Sequence, residues 1–388
     1  MNLTENIKFN NFDKKKPKKK LFKLFKNLLN ENNQILKSLS DLYEDSWSKN
    51  TILKFKKFKN FLLIGMGGSV MGSKAIYSFL KTKIKKNFFF LDNFDKNNIE
   101  KINRKNKLNL IVSKSGNTLE TISISNILIK QNSSNIFITE DKNNYIRNLA
   151  NKLKSEVIEH NNYIGGRYSV LSEVGMLPSK LMGLKVKSFR KLNELVKNKI
   201  FVNSLVSNVS SILTHVKNKR FNSVILNYDE SSQDFFYWYQ QLVAESLGKK
   251  GKGIFPIISR MPQDNHSLMQ FYLDGIKNSF YTLFFVKNKN SQKIISKKIL
   301  KSHNYIKNKN LNDISFSQFC ATETVFKKKR IPFRSLVVHH RNEKTLGELF
   351  TFFMLETILL GMAMKVNPFN QPAVELIKNE TKNFLKTN

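Results

Sequence analysis

An acid and an imidazole in one stretch of the chain could together move protons. Glu245 ends an apolar helical pattern in LVAESLG, and His266 follows twenty-one residues later, beyond a loop rich in glycine and lysine. Histidine and carboxylate side chains are common general acids and bases. A lone loop histidine and a glutamate on a helix surface are also ordinary structural residues. The pair therefore raises a hypothesis of acid-base catalysis that depends on the residues around it.

A glycine-rich turn at residues 65–72 could bind an anion. It follows the apolar run FLLI and opens a helical pattern. Gly65, Gly67 and Gly68 permit tight turning and close approach of backbone N–H groups, and the helix start adds partial positive charge. The spacing differs from that of the dinucleotide-binding motif, which would need glycine where Val70 stands. Alone, the turn is a weak indication of a phosphate site.

Hydroxyl side chains cluster in a second strand-to-helix turn, SKSGNT, at residues 113–118. Ser113, Ser115 and Thr118 lie there on either side of Gly116. Such hydroxyls either cap the helix, which takes one of them and contributes about 1 kcal/mol, or bind phosphate. Three hydroxyls facing another glycine-rich turn favour a pocket for a phosphomonoester.

Short apolar runs alternate with helical patterns in two parts of the chain. The first part contains FLLIG, FFFLD, LNLIV and NIFITED, and the second, from residue 221, contains FNSVILNY, SFYTLFFVKN and FRSLVVHH. Continuous apolar strands are typical of parallel sheets covered by helices. We therefore predict an α/β fold with two units, joined by a helical stretch over about 168–216. Ligands of such sheets bind beyond the carboxyl ends of the strands, where the two turns lie.

The composition excludes several classes of protein. With 388 residues, 40% apolar and 12% aromatic, the chain can bury a substantial core, which excludes disordered and collagenous proteins. The net charge of +37 would suit a nucleic acid or a membrane, but only nine of the 66 basic residues are Arg and the lysines are spread along the chain. Nucleic-acid binding therefore remains a minor alternative. Because Cys320 is the one cysteine and the six histidines lack metal-ligand spacing, we expect no bound metal and a reducing cytoplasm.

Two segments outside the repeated pattern have simple interpretations. The run KKKPKKK, residues 14–20, is expected to be a solvated tail, with a nucleic-acid or membrane contact as the alternative. The apolar segment Leu349–Met364 contains Glu356 and is short for a bilayer, so we predict a buried helix. A helix docked on the body is predicted from an apolar stripe at helical spacing, formed by Leu21, Phe22, Leu24, Phe25, Leu28 and Leu29.

The two turns and four further segments resemble one known family. IGMGGSVMG with SKSGNTLET resembles the paired phosphate loops of sugar isomerase (SIS) domains. The motifs of the glucose-6-phosphate isomerase family are similar, in the same order, to GGRYSVLSEVGMLP, WYQQLVAESLGKKGKG, PQDNHSLMQFYLDG and VNPFNQPAVELIK. The resemblance covers residues from about 60 to 380. It implies two three-layer αβα SIS domains with parallel sheets, over 51–200 and 201–388, after a basic tail and helix in 1–50.

The resemblance also implies a reaction and a set of residues. The reaction is the cofactor-free and metal-free conversion of glucose 6-phosphate to fructose 6-phosphate through an enediol. Glu245 is implied to carry the proton between C1 and C2, and Gln241, one helical turn earlier, to orient the carboxylate or the sugar. Arg167 is implied to stabilise the enediolate, and His266 and Lys378 to open the sugar ring. The other implied contacts to phosphate and sugar are Gly68, Ser69, Ser113, Ser115, Thr118, Gly166 and Gln371.

The family works as a dimer, so the resemblance implies a homodimer in which His266 is donated to the neighbouring subunit, with no nucleic-acid or membrane partner. The chain departs from the family at two points. Typical members have Ser-Lys-Thr-aromatic-Thr-Thr where residues 113–118 read SKSGNT, a form similar to bifunctional phosphoglucose/phosphomannose isomerases. Asn370 stands where the family usually has Asp. Selectivity between glucose and mannose phosphates is left open, and a noncatalytic sugar-phosphate sensor built from SIS domains is the other alternative.

Overall fold

The computed structural model describes residues 2–12, 18–31, 33–94, 106–288 and 291–387. The strands are β1 (Ile7–Asn10), β2 (Asn60–Ile64), β3 (Asn87–Leu91), β4 (Lys107–Val112), β5 (Ser134–Thr139), β6 (Glu156–Glu159), β7 (Asn222–Asn227), β8 (Phe255–Arg260), β9 (Ser279–Val286) and β10 (Phe333–Val338). The helices are α1 (Lys19–Asn30), α2 (Gln34–Lys37), α3 (Lys49–Phe55), α4 (Gly68–Phe79), α5 (Leu119–Leu128), α6 (Tyr145–Lys152), α7 (Glu173–Leu181), α8 (Leu192–Lys197), α9 (Lys199–Lys217), α10 (Gln233–Leu247), α11 (Asp264–Ser267), α12 (Met269–Asp274), α13 (Leu311–Lys328), α14 (Glu343–Met364) and α15 (Val374–Thr387).

The first sheet contains five parallel strands in the order β3-β2-β4-β5-β6. Successive side chains along strand β2 enter two separate cores. Phe61 and Leu63 of β2 pack with residues of α4, whereas Leu62 and Ile64 pack with residues of α5 and α6. Since side chains along a strand point alternately to opposite faces, helices cover both faces of this sheet. The first unit is therefore a three-layer αβα sandwich, and the four strands predicted for it are confirmed.

The second sheet has the order β1-β10-β9-β7-β8, and all of its strands are parallel except β1. Phe284 and Leu336 enter the large core that this unit shares with the first, whereas Leu283 and Phe285 pack with α13 on the other face. The prediction of two α/β units with mainly parallel sheets is confirmed.

Two strands of the second sheet were not predicted from the sequence. β8 contains Pro256, which interrupts the apolar pattern and which the sheet tolerates because β8 is an edge strand. β1 has only four residues and pairs antiparallel with β10, with Ile7 opposite Val338. Ile7–Asn10 thus belongs to the second sheet, which differs from the assignment of residues 1–50 to a tail with a helix. The other domain boundaries remain predictions.

The long apolar segment near the end of the chain forms the central helix of the shared core. Among the described residues, α14 is the one helix long and apolar enough to cross a membrane by length and composition, and 89% of its most apolar window is buried in the protein. Its buried Glu356 pairs with Arg334, which also donates to Asn208 and to Thr282 at 2.9 Å each. A buried charge needs such partners. The prediction of a buried helix is confirmed.

Helix α1 packs on the body through the predicted apolar stripe. Leu21, Phe25 and Leu28 are buried, and the remaining stripe residues pack partly buried against the same core. The basic run at residues 14–20 lies partly outside the described residues, which resume at residue 18. The expectation of a solvated tail therefore stays a prediction.

Candidate active site

A guanidinium and a carboxylate meet between the two units. Arg167 lies in the 3₁₀ turn Gly166–Leu171, and its Nη1 donates to Glu245 Oε2 at 3.1 Å. The arginine side chain is 1% exposed and the glutamate side chain 31% exposed. A carboxylate that is held by a cation and still reached by solvent can act as a base on a bound ligand.

Gln241 lies one turn before Glu245 on α10 and orients the carboxylate. Its Nε2 donates to Glu245 Oε1 at 2.9 Å, so each carboxylate oxygen accepts a hydrogen bond from the protein. The Oε1 atom of Gln241 is buried and has no hydrogen-bond partner among the described residues. A buried acceptor without a partner costs free energy. This carbonyl therefore marks a position where a ligand hydroxyl could donate.

The other partners of Arg167 fix the plane of its guanidinium. Nη1 donates to Gln371 Oε1 at 2.8 Å, and Nη2 donates to the carbonyls of Pro368 at 2.7 Å and Asn370 at 3.2 Å. Nε donates to Ser246 Oγ at 2.8 Å. These bonds use the fork of donors that distinguishes arginine from lysine. The structure thus brings together Arg167, Glu245 and Gln371, three predicted site residues that are far apart in the chain, with Gln241 beside them.

Three residues around the arginine were not predicted. The Tyr168 hydroxyl contacts Ser246 Oγ at 2.8 Å and donates to the Pro368 carbonyl at 3.0 Å, and Trp238 Nε1 donates to the Arg167 carbonyl at 3.1 Å. Burial raises the pKa of Tyr168, so its hydroxyl remains a donor. The one signal for the tyrosine and the serine was their adjacency in sequence to the two charged residues.

The first glycine-rich turn lies against the arginine turn. A Cβ on Gly68 would be 2.1 Å from the carbonyl carbon of Gly166 and 2.6 Å from the backbone nitrogen of Arg167. Gly67 has φ +53°, and a Cβ there would be 2.8 Å from Nε2 of Gln241. Only glycine permits this backbone contact without displacement. The start of α4, with its partial positive charge, is therefore held beside the partners of the carboxylate.

We expect Gly68→Ala to destabilise the protein by about 2–3 kcal/mol, because the new methyl group must displace backbone. We also expect kcat/KM to fall about 100-fold, because the displaced backbone includes the turn that carries Arg167. Urea unfolding and steady-state kinetics measure the two effects. Gly165→Ala is the matched control, because its Cβ would meet only Tyr168 Cδ2 at 3.8 Å, an ordinary contact. Equal behaviour of the two variants would contradict the prediction.

The hydroxyl-rich turn lies at the same edge of the first sheet, because β2 and β4 are parallel neighbours. Ser113 Oγ contacts Thr118 Oγ1 at 2.9 Å, and Ser115 Oγ accepts from the N–H of Asn117 at 3.3 Å. Thr118 precedes α5, yet its side chain makes no capping hydrogen bond. The partly exposed Ser69 opens α4 in the neighbouring turn. Capping of α5 by Thr118 is therefore absent, and the phosphate interpretation of these hydroxyls stays a prediction.

Within one chain, His266 lies away from this centre. It is exposed in α11, which follows the carboxyl end of β8. Glu245 lies near the opposite end of that strand, where the nearby Gln240 donates through Nε2 to the Pro256 carbonyl at 2.9 Å. The six residues of β8 separate the two ends by about 17 Å.

Lys378 makes no contact with the arginine among the described residues. It is on α15, a helix in which no side chain is buried, and its Nζ pairs with Glu375 Oε1 at 2.6 Å. The two side chains are 62% and 60% exposed. The catalytic roles given to His266 and Lys378 therefore stay predictions.

The arrangement suits one kind of chemistry. A carboxylate base beside a buried guanidinium can remove a proton from a carbon next to a carbonyl and stabilise the resulting negative charge. The glycine-rich and hydroxyl-rich turns can hold an anionic group of the same ligand.

Comparison with known proteins agrees with this chemistry. A family model described as phosphoglucose isomerase matches residues 1–254. The glucose-6-phosphate isomerase of Methanocaldococcus jannaschii is 33% identical over 337 residues, which cover 82% of this chain and 82% of that protein. The glucose-6-phosphate isomerase of Mycoplasmopsis pulmonis is 32% identical over 374 residues, which cover 86% of each protein.

Solved structures show the same fold. A hypothetical protein from Thermus thermophilus superposes with a TM-score of 0.84 at 24% identity, and the match covers 94% of both chains. A glucose-6-phosphate isomerase from Chlamydia trachomatis superposes with a TM-score of 0.73 at 19% identity, covering 91% of this chain and 78% of that one. The sequence matches and the shared fold together lead to one assignment: this chain belongs to the phosphoglucose isomerase family.

Proposed function

We propose that this protein interconverts glucose 6-phosphate and fructose 6-phosphate through an enediol, with Glu245 as the base. The observation that carries the proposal is the contact of the Glu245 carboxylate with Arg167 and Gln241, beside the glycine-rich turn that includes Gly68. This contact joins a base, a cation and a phosphate-type turn in a chain that belongs to an isomerase family.

Each group has a defined task in the proposed reaction. In the open-chain aldose, Glu245 removes the proton from C2, and the electron pair moves into the carbonyl at C1 to form the enediolate. Arg167 stabilises the negative charge on the sugar oxygens. The hydroxyl proton of O2 passes to O1 as the carbonyl forms at C2, and the protonated Glu245 returns its proton to C1, so one carboxyl group serves both carbons. The unpartnered carbonyl of Gln241 accepts a sugar hydroxyl.

The phosphate group is proposed to bind between the two turns at the edge of the first sheet. Backbone N–H groups at the start of α4, near Gly68 and Ser69, provide one side. The hydroxyls of Ser113, Ser115 and Thr118 provide the other. Binding at this position would anchor the sugar with its reacting carbons towards the carboxylate.

His266 and Lys378 are proposed to open the sugar ring, with His266 supplied by a second copy of the chain. Support comes from the position of His266, which is exposed beyond the far end of β8 from Glu245 and so cannot reach the carboxylate of its own chain. The symmetric dimer that this requires would contain two sites, each built from both subunits.

Mixing two inactive variants tests this arrangement. In a heterodimer of Glu245→Gln and His266→Ala subunits, one of the two sites keeps both native residues. Random pairing makes half of the dimers heterodimers, so co-refolding equal amounts should restore about a quarter of wild-type activity. Co-refolding each variant with itself is the control. No recovery in a mixture that is dimeric by light scattering would show that each chain uses its own histidine.

A coupled assay for fructose 6-phosphate tests the proposed function directly. Purified protein should form fructose 6-phosphate from glucose 6-phosphate without added metal or nucleotide. The same assay with mannose 6-phosphate decides the selectivity question raised by the SKSGNT turn. Binding of both sugars without turnover would favour the sensor alternative. We further propose a cytoplasmic location, supported by the single cysteine and checked by cell fractionation.

A further inference from the structure

Lys249 follows α10 and connects two parts of the candidate site. Its Nζ donates to the carbonyl of Ser246 at 2.8 Å and to the carbonyl of Asn367 at 2.6 Å. Ser246 is the residue after Glu245, whereas Asn367 begins the segment that ends at Gln371. One ammonium group therefore fixes the end of the helix to a segment more than one hundred residues later in the chain.

Arg167 binds the same two pieces of chain. Its Nε donates to Ser246 Oγ at 2.8 Å, and its Nη2 donates to the carbonyl of Pro368, the neighbour of Asn367, at 2.7 Å. The ammonium of Lys249 and the guanidinium of Arg167 thus bind the same two segments, the end of α10 and residues 367–368. A change in the distance between these segments would move the guanidinium relative to the carboxylate of Glu245.

A closed turn holds the backbone from which the lysine side chain extends. Lys249 and Lys252 exchange two backbone hydrogen bonds of 3.0 Å each. Between them, Lys250 and Gly251 have φ +53° and +67°, the backbone conformation of a tight two-residue hairpin turn. The side chain of Lys249 therefore extends from backbone that is held in place by hydrogen bonds.

The surroundings of the ammonium also disfavour its charge. Burial, followed by the repulsion of Arg167, lowers the pKa of Lys249 to about 8, while Glu245 acts in the opposite direction. The other charged or titratable groups around this turn are Lys250 and Lys252 within it, Lys365 beside the Met364 carbonyl that Lys252 binds, and Tyr168 at the Pro368 carbonyl. A neutral amine makes weaker hydrogen bonds to carbonyls than an ammonium does. The bridge should therefore weaken as the pH rises through about 8.

We propose that Lys249 is a positioning residue for the isomerisation, which sets the separation of Glu245 and Arg167 by holding the Asn367 carbonyl to the end of α10. The inference rests on the proposed function. A basic side chain that binds the last carbonyls of a helix is often only a cap. The bond to Asn367 goes beyond capping, because it reaches the segment that supplies the partners of the arginine.

Three variants test the inference. Lys249→Met should lower kcat about 10- to 100-fold with KM within about threefold, because the reacting groups are misplaced while phosphate binding persists. Lys249→Arg keeps a cation that does not deprotonate and should recover most of kcat. Lys252→Met is the control: its Nζ donates to the Met364 carbonyl at 3.1 Å from the same turn, and its removal should change kcat less than about twofold.

The pH profile separates positioning from simple stabilisation. Wild-type kcat should decline on the alkaline side with a midpoint near pH 8, and Lys249→Arg should move that decline upward by about one pH unit or more because arginine stays charged. The inference would be overturned by a Lys249→Arg protein whose kcat declines at the same alkaline pH as the wild type. It would also be overturned by a Lys249→Met protein that keeps the wild-type kcat and has only a lower melting temperature. An inactive wild type would overturn the proposed function, and an active wild type with unaffected Lys249 variants would overturn this inference alone.

Discussion

Replacement of Glu245 by Gln should lower kcat about 10³-fold, because the amide cannot take a proton from carbon. Exchange of the C2 proton with solvent should cease together with turnover, since both require the same base. Proton NMR of the sugar phosphate in deuterated water measures the exchange, and the coupled assay measures the turnover.

Glu245→Gln should still fold and bind the sugar phosphate. The guanidinium of Arg167 retains its bonds to Ser246, Gln371 and the carbonyl of Pro368, so the site keeps most of its framework. Calorimetric titration with fructose 6-phosphate should give a dissociation constant near that of an inactive His266→Ala protein. Glu230→Gln is the control, because this exposed carboxylate pairs with Arg260, away from the site, among the described residues. Turnover near the wild-type rate in Glu245→Gln would eliminate the proposed base.

Replacement of Arg167 by Lys should cause a large loss of both activity and stability. An ammonium is a point charge with three donors, so it cannot reproduce the planar fork that binds Glu245, Gln371 and the carbonyls of Pro368 and Asn370. We expect kcat to fall about 10²- to 10³-fold, as for other groups that stabilise a developing oxyanion. Breaking this buried network should also cost about 3 kcal/mol of unfolding free energy.

Arg334→Lys provides the comparison, because Arg334 is equally buried but lies in the core pair with Glu356, among Asn208 and Thr282. It should lose a similar amount of stability in urea, while the folded enzyme keeps nearly the wild-type kcat. Similar kcat losses in both variants would show that the effect of Arg167 is structural and that the enediolate is stabilised elsewhere.

Most of the sheet architecture could be predicted from local pattern. Runs such as Phe61–Ile64 are apolar at every position because helices cover both faces of the strand. β1, β6 and β8 escaped prediction because they are edge strands, which bury less and tolerate proline, so their sequences have weak patterns. Helix α14, in contrast, was predicted from local pattern, because its uniformly apolar sequence indicated burial and Glu356 argued against a membrane span.

The site was only partly predictable. Gln241 and Glu245 are four residues apart on one helix, so spacing alone placed them on one face. Arg167 and Gln371 are 204 positions apart, and family resemblance was the only signal that joined them. Bonds to backbone carbonyls, such as that from Lys249, leave no pattern in a sequence because every residue carries a carbonyl. A site residue supplied by a second subunit, as proposed for His266, also makes no contact with the site within one chain.

The antiparallel pairing of β1 with β10 has a consequence for synthesis on the ribosome. About 330 residues separate the paired positions Ile7 and Val338. At a synthesis rate of about 5–20 residues per second, β10 is made some tens of seconds after β1. During that interval the first sheet can already form, whereas the second sheet is completed only when β10 pairs with a strand that was made much earlier.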